Sequence, residues 1–74
     1  MDEQGRSPEA EKAYRQAISL APQNVRAHYN LGLLFLEQRK LKESEKEFSK
    51  AIQLDPHDVD AIKQRAIVLK EIAK

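Results

Sequence analysis

Apolar residues recur along this chain at spacings of three and four, broken at regular intervals by proline and asparagine or aspartate. Four stretches carry that helical period. The first runs from Pro8 to Leu20, with Ala10, Ala13, Tyr14, Ala17 and Ile18 forming its stripe. Ser7 is placed to cap it, Pro8 suits a first turn, and Glu9 and Glu11 complement the positive end of the helix dipole. The second runs from Val25 to about Gln38, capped by Asn24. Its stripe of His28, Leu31, Gly32 and Phe35 is widened by Ala27, Leu33, Leu34 and Leu36, which predicts contact on more than one side. The third runs from Leu41 to Leu54, with Leu41, Ser44, Phe48, Ala51 and Ile52 on one face and Lys42, Glu43, Lys46, Glu47 and Lys50 on the other. The fourth runs from Val59 to Ala73, capped by Asp58, with Ile62, Ala66, Leu69 and Ile72 as its apolar row. Pro22 and Pro56 stop the helices before them. The links are short, which makes successive helices antiparallel neighbours.

The pattern repeats. Ala17-Ile18-Ser19-Leu20-Ala21-Pro22 returns as Ala51-Ile52-Gln53-Leu54-Asp55-Pro56, 34 positions later. The same offset sets Tyr14 against Phe48 and Asn24-Val25-Arg26-Ala27 against Asp58-Val59-Asp60-Ala61. A period of this length is that of a helix-turn-helix repeat.

Within one period, His28-x2-Leu31-Gly32-x2-Phe35 is followed by Ser44-x3-Phe48, then Ala51 and Pro56. This resembles the tetratricopeptide repeat, with His28 and Ser44 standing where other residues are commoner. The resemblance implies an all-α, right-handed α-solenoid of antiparallel helix pairs. On that frame Pro8–Leu20 is the second helix of a partial repeat, residues 25–58 are a complete repeat, and residues 59–73 are the first helix of another. Glu3-Gln4-Gly5 reads as the last turn of a preceding first helix. Arg65 departs from the family's usual leucine.

Packing within the repeat is expected to involve Tyr14, Ala17, His28, Leu31, Gly32, Phe35, Phe48, Ala51 and Pro56. Gly32 and Ala51 are small and let two helices approach, so Gly32→Leu is expected to cost about 1–3 kcal/mol by overpacking. His28 holds a bulky interhelical position, where packing is expected of it rather than chemistry. His57 falls in a turn and is expected at the surface.

The resemblance also implies a function. First helices of such arrays line a concave groove that receives an extended peptide or a partner helix. The residues matching that face are Arg26, Tyr29, Asn30, Leu33, Leu36 and Glu37, continued by Lys63 and Ile67, with Asp60, Gln64 and Lys70 beside them. Asn30 is the sharpest candidate, because an amide can both donate to and accept from a peptide main chain. A clamp for a C-terminal carboxylate, known in some members, is not expected: Asp60 and Gln64 stand where cations are needed. Arg26, Lys63 and Lys70 are offset by Glu37 and Asp60, so the face carries mixed charge. A different use is head-to-tail self-association: Tyr14 and Ile18 at one end, and Ile62, Leu69 and Ile72 at the other, would each lack a mate, closing into a dimer or ring or growing as a filament. Service as an accessory domain of a larger enzyme is a third possibility, as is an excised or engineered fragment with no ligand.

Composition narrows the remaining classes. In 74 residues, 13 are Lys or Arg and 12 Asp or Glu, interspersed, giving a net charge of +1 and no basic block for nucleic acid. No apolar run approaches the roughly 18 residues of a membrane span. The start of the chain, Met1 to Arg6, is polar and lacks the apolar core of a signal peptide, so a cytoplasmic or nuclear setting is the default, although a piece cut from a longer chain would look the same. With no cysteine and two histidines, neither disulfides nor a zinc site is expected. Two glycines exclude a Gly-rich phosphate cradle, and no nucleophile–base arrangement suggests catalysis. No enzyme activity, cofactor or metal is therefore expected; the expected partner is a protein or peptide, including a second copy of the chain.

Overall fold

Asn24 starts the helix around which the others are arranged. Its extended backbone frees its side chain to turn back, and Oδ1 accepts the Ala27 N–H at 3.1 Å. Asp58 repeats the device, accepting the Ala61 N–H at 3.1 Å. The structure is a computed structural model describing the backbone over residues 3–74 and side chains from residue 8 onward. Its helices are α1 (Glu3–Leu20), α2 (Val25–Glu37), α3 (Leu41–Leu54) and α4 (Val59–Ala73). Among the described residues there is no strand, and no helix is long and apolar enough to cross a membrane.

Two boundaries differ from the sequence pattern. α1 begins at Glu3, so Ser7 lies inside it rather than at its cap, and Glu3–Gly5 belong to α1 rather than to an earlier helix. Pro8 has no N–H for the Gln4 carbonyl, which removes one hydrogen bond without ending the helical backbone upstream. α2 stops one residue early, at Glu37. There Arg39 turns left-handed, at φ 62°. The Lys40 N–H reaches back to the Phe35 carbonyl (2.9 Å) and the Arg39 N–H to that of Leu36 (3.0 Å). These are the two bonds of a Schellman stop, built without the usual glycine.

α2 touches α1, α3 and α4, which accounts for its wide apolar surface. Leu31, Leu34 and Phe35 form its core, covered from α1 by Ala10, Tyr14 and Ile18. On the α3 side the two backbones come close. Ser44 Oγ donates to the Gly32 carbonyl at 2.7 Å, and Phe48 lies over Gly32, fully buried. α3 is sandwiched: Ser44, Phe48 and Ala51 are all shut off from solvent between α2 and α4. α4 sends Ala61 and Val68 into the same core. Ala61 and Val68 lie one repeat length after Ala27 and Leu34, which are buried in the same way on α2.

Tyr14 and Ile18 depart from the expectation of a bare α1. Both are half-buried against α2, so their apolar surface already has a mate on that side. The exposed apolar surface lies instead on α4, at Ile62, Ile67, Leu69 and Ile72, and at the helix ends, at Leu20, Leu54 and Val59.

Candidate functional site

The helices do not stack evenly. α2 and α4 touch, although α3 lies between them in sequence, whereas α1 and α3 do not meet among the described residues. The stack is thus closed on the α2–α4 side and splayed on the α1–α3 side.

The residues picked from the sequence are distributed along α2 and α4. Arg26 and Glu37 are exposed at the two ends of α2, and Tyr29, Asn30, Leu33 and Leu36 are half-buried between them. On α4, Asp60, Lys63 and Lys70 are exposed, Gln64 is half-buried, and Ile67 is 45% exposed. Tyr29 also has a packing role. Its ring lies 5.7 Å from that of Phe48 at a tilt of 58°, fixing it against the α2–α3 contact. Among the described residues no side chain hydrogen-bonds to Asn30, so its amide is available to a main-chain partner.

On the splayed side lies a cleft of about 280 Å³, lined by Ile18 and Pro22 from α1 and the turn after it, His28 from α2, and Lys50, Gln53 and Leu54 from α3. His28 is 4% exposed at its floor. Its Nε2 lies 3.0 Å from the Pro22 carbonyl and its Nδ1 2.8 Å from Glu47 Oε1. A carbonyl can only accept, so the Nε2–H donates to Pro22, while Nδ1 faces the Glu47 carboxyl. His28 therefore ties the α1–α2 turn to α3. From the sequence only its bulk is legible, because a partner 19 residues away leaves no local spacing signal.

Arg65, the departure from the repeat pattern, is explained by a neighbouring network. Its Nε lies 3.0 Å from Glu45 Oε2 and 2.9 Å from Ser49 Oγ, and the Ser49 hydroxyl donates to the same carboxylate at 2.7 Å. The Ser49 hydrogen bond first of all holds the Glu45 carboxyl below the usual carboxylate range; burial opposes it, and the Arg65 hydrogen bond and charge add to the lowering. Glu71 is likewise lowered, first by the Arg39 hydrogen bond and then by Lys74, at 3.1 and 3.3 Å. Both networks lock α4 to the rest: one to α3, the other to the α2–α3 turn.

Among the described residues no group of three or more His, Asp or Glu side chains could hold a metal ion. His57 is exposed in its turn, its N–H donating to Asp55 Oδ1 at 3.1 Å. Pro56 is exposed in the same turn, and Ala17 is half-buried on α1. A family model described as tetratricopeptide repeat matches residues 2–59. No curated protein matches the chain.

Proposed function

Given that the chain belongs to the tetratricopeptide repeat family, we propose that the inner face of α2 and α4 receives an extended peptide or a partner helix. The family's general role is protein–protein interaction, and the finer reading rests on the direct contact of α2 with α4 while α1 and α3 stay apart. That asymmetry gives the inner face a continuous floor. Leu33 and Leu36 on α2 and Ile67 on α4 supply its apolar part. Asn30 supplies a donor and an acceptor for a ligand backbone, and Tyr29, braced by Phe48, supplies a rigid ring beside it. The charges at the rim are mixed, with Arg26, Lys63 and Lys70 against Glu37 and Asp60, which favours a ligand carrying both signs over a purely acidic one.

The test is a peptide-library selection on the 74-residue chain, followed by titration of the selected peptides while the amide signals of Tyr29, Asn30, Leu33 and Ile67 are followed by NMR. Saturable shifts confined to α2 and α4, weakened at least about tenfold by Asn30→Ala, are expected. Shifts confined to Ile18, Lys50 and Leu54 would place binding in the outer cleft and refute this reading.

A further inference from the structure

Acidic and basic residues alternate along α3 in the sequence, but the fold separates them. Glu47 is drawn to His28 at 2.8 Å, and Glu45 to Ser49 and to Arg65 of α4 at 2.7 and 3.0 Å. Of the three α3 carboxylates only Glu43, exposed in the first turn, has no partner among the described residues. Lys42, Lys46 and Lys50 are exposed, and none is paired with a carboxylate among the described residues. Their spacing of four sets them in a row along one face, about 6 Å apart at about 1.5 Å per residue.

The row ends at the outer cleft. Lys50 lines it, with Ile18, Pro22 and Leu54 as its apolar walls. One repeat length before Lys46 stands Lys12, exposed on α1. Arg15 of that helix is held by Glu11 at 2.9 Å. Glu9 and Glu43 are the exposed acids of the two helices, both upstream of the residues that line the cleft. The splayed side of α1 and α3 therefore joins an apolar cleft to a row of cations, whereas the inner face carries mixed charge.

A matching ligand carries one large apolar side chain, then carboxylates at the spacing of the row. An extended peptide supplies that spacing: at about 3.3 Å per residue, every second side chain faces the same way about 6.6 Å apart. The cleft, about 280 Å³, falls just short of the roughly 300–1,000 Å³ of drug-sized ligand sites, which suits it to a single side chain. A nucleic acid would use the lysines and leave the cleft unfilled, and a small organic anion would reach Lys50 alone. We propose that the outer side of α1 and α3 docks an acidic extended peptide. Its leucine-like or aromatic residue fills the cleft, and Asp or Glu at alternate positions lies on Lys50, Lys46 and Lys42. The site takes a ligand of different charge from the inner face and does not depend on the function proposed there.

The test titrates the 74-residue chain by NMR at low ionic strength with a blocked peptide. Its first residue is leucine, every second residue after that is glutamate, and the rest are serine; the reversed order is titrated too. Saturable shifts are expected at the amides of Ile18, Lys46, Lys50 and Leu54 with one of the two. Binding should weaken at least about tenfold in the double variant Lys46→Glu with Lys50→Glu, whose helices circular dichroism checks, and persist with arginine at both positions. Serine in place of the peptide's leucine should weaken it at least about tenfold as well. High salt should weaken it further, because these charges are exposed. Four results would overturn the proposal. Neither peptide shifts the chain at millimolar concentration; the leucine proves dispensable, so that charge alone binds; the charge reversal changes nothing; or the shifts fall on Asn30 and Ile67, which places acidic peptides on the inner face instead. A parallel titration with an oligouridine reads the rival ligand: shifts of Lys46 and Lys50 with it, and none with either peptide, would make this a nucleic-acid face.

Discussion

Gly32 is the position where a single methyl group measures the packing between α2 and α3. A Cβ there would lie 2.7 Å from Phe48 Cε1, 2.8 Å from Cδ1 and 2.9 Å from Cζ. Carbon atoms rest at about 3.5 Å or more, so the ring would have to retreat by roughly 0.8 Å. Phe48 is fully buried, wedged against Tyr29, and has nowhere to swing. Two effects then oppose. Alanine is better than glycine in a helix interior by about 1 kcal/mol. Overpacking a filled core costs about 1–3 kcal/mol. The retreat would also stretch the Ser44 bond to the Gly32 carbonyl, now 2.7 Å, which is worth about 1 kcal/mol. Gly32→Ala is therefore expected to destabilise by about 1–3 kcal/mol net, a drop in Tm of several degrees or more for a chain of this size. Thermal and urea unfolding of Gly32→Ala, Phe48→Leu and the double variant measure it. Phe48→Leu should cost less in the Gly32→Ala background than alone, because the smaller side chain relieves the clash. A Gly32→Ala chain as stable as the parent, or costs that simply add in the double variant, would refute the close-approach argument.

Three further perturbations probe the other contacts. Glu47→Ala is expected to destabilise by about 2 kcal/mol, since it leaves the buried His28 Nδ1 without its partner; urea unfolding checks this. Glu45 has its carboxyl lowered in the folded chain, so its contribution is present above the ordinary carboxylate range and is lost as pH falls through the lower, folded value. Stability measured against pH should therefore fall in that acidic window, and Glu45→Gln should flatten the fall while weakening the chain at neutral pH. Arg39→Gly removes a left-handed, non-glycine residue at the end of α2 and should gain about 1 kcal/mol in urea unfolding, less whatever the exposed Arg39–Glu71 bridge contributes.

Helix number, order and polarity were legible because each depends on local signals. Asn24 and Asp58 cap, Pro22 and Pro56 stop, and the three-four spacing of Leu31, Phe35, Phe48 and Ala51 marks the buried faces. The start of α1 is ambiguous in the sequence, because proline at a helix start and proline one turn inside leave the same local trace. The stop at Arg39 was illegible, because a Schellman turn usually announces itself with glycine. The cross-helix polar partners were hidden for a different reason. His28 with Glu47, Arg65 with Glu45 and Ser49, and Arg39 with Glu71 are joined only by tertiary packing, and no periodicity within one helix relates them. For Tyr14 and Ile18 the pattern tells that their face is apolar but not that α2 is the neighbour that reaches it. For the proposed binding face, the spacing places Tyr29, Asn30, Leu33 and Ile67 on helices, whereas the contact of α2 with α4 is visible only in the fold.

The same small contact links stability to the shape of the inner face. α3 can lie tightly on α2 only because Gly32 offers no Cβ and Ser44 offers a hydroxyl short enough to reach the bare carbonyl. With α3 drawn in, α4, which packs on α3 and buries Ala61 and Val68, lies close enough to touch α2. α1 has no such pull toward α3, so the outer side stays open and the inner side closes. A methyl group at Gly32 would push α3 outward and with it α4, widening the floor between Leu33 and Ile67. Gly32→Ala should then weaken binding of a selected peptide even below its melting range, although no atom of Gly32 lies on the proposed binding face. By contrast, a substitution such as Glu45→Gln, which loosens α4 from α3 without touching the α2–α3 approach, should lower stability with a smaller effect on binding. Peptide titrations of both variants at one temperature, where each is folded, separate a binding face shaped by backbone approach from one set by side-chain locks alone.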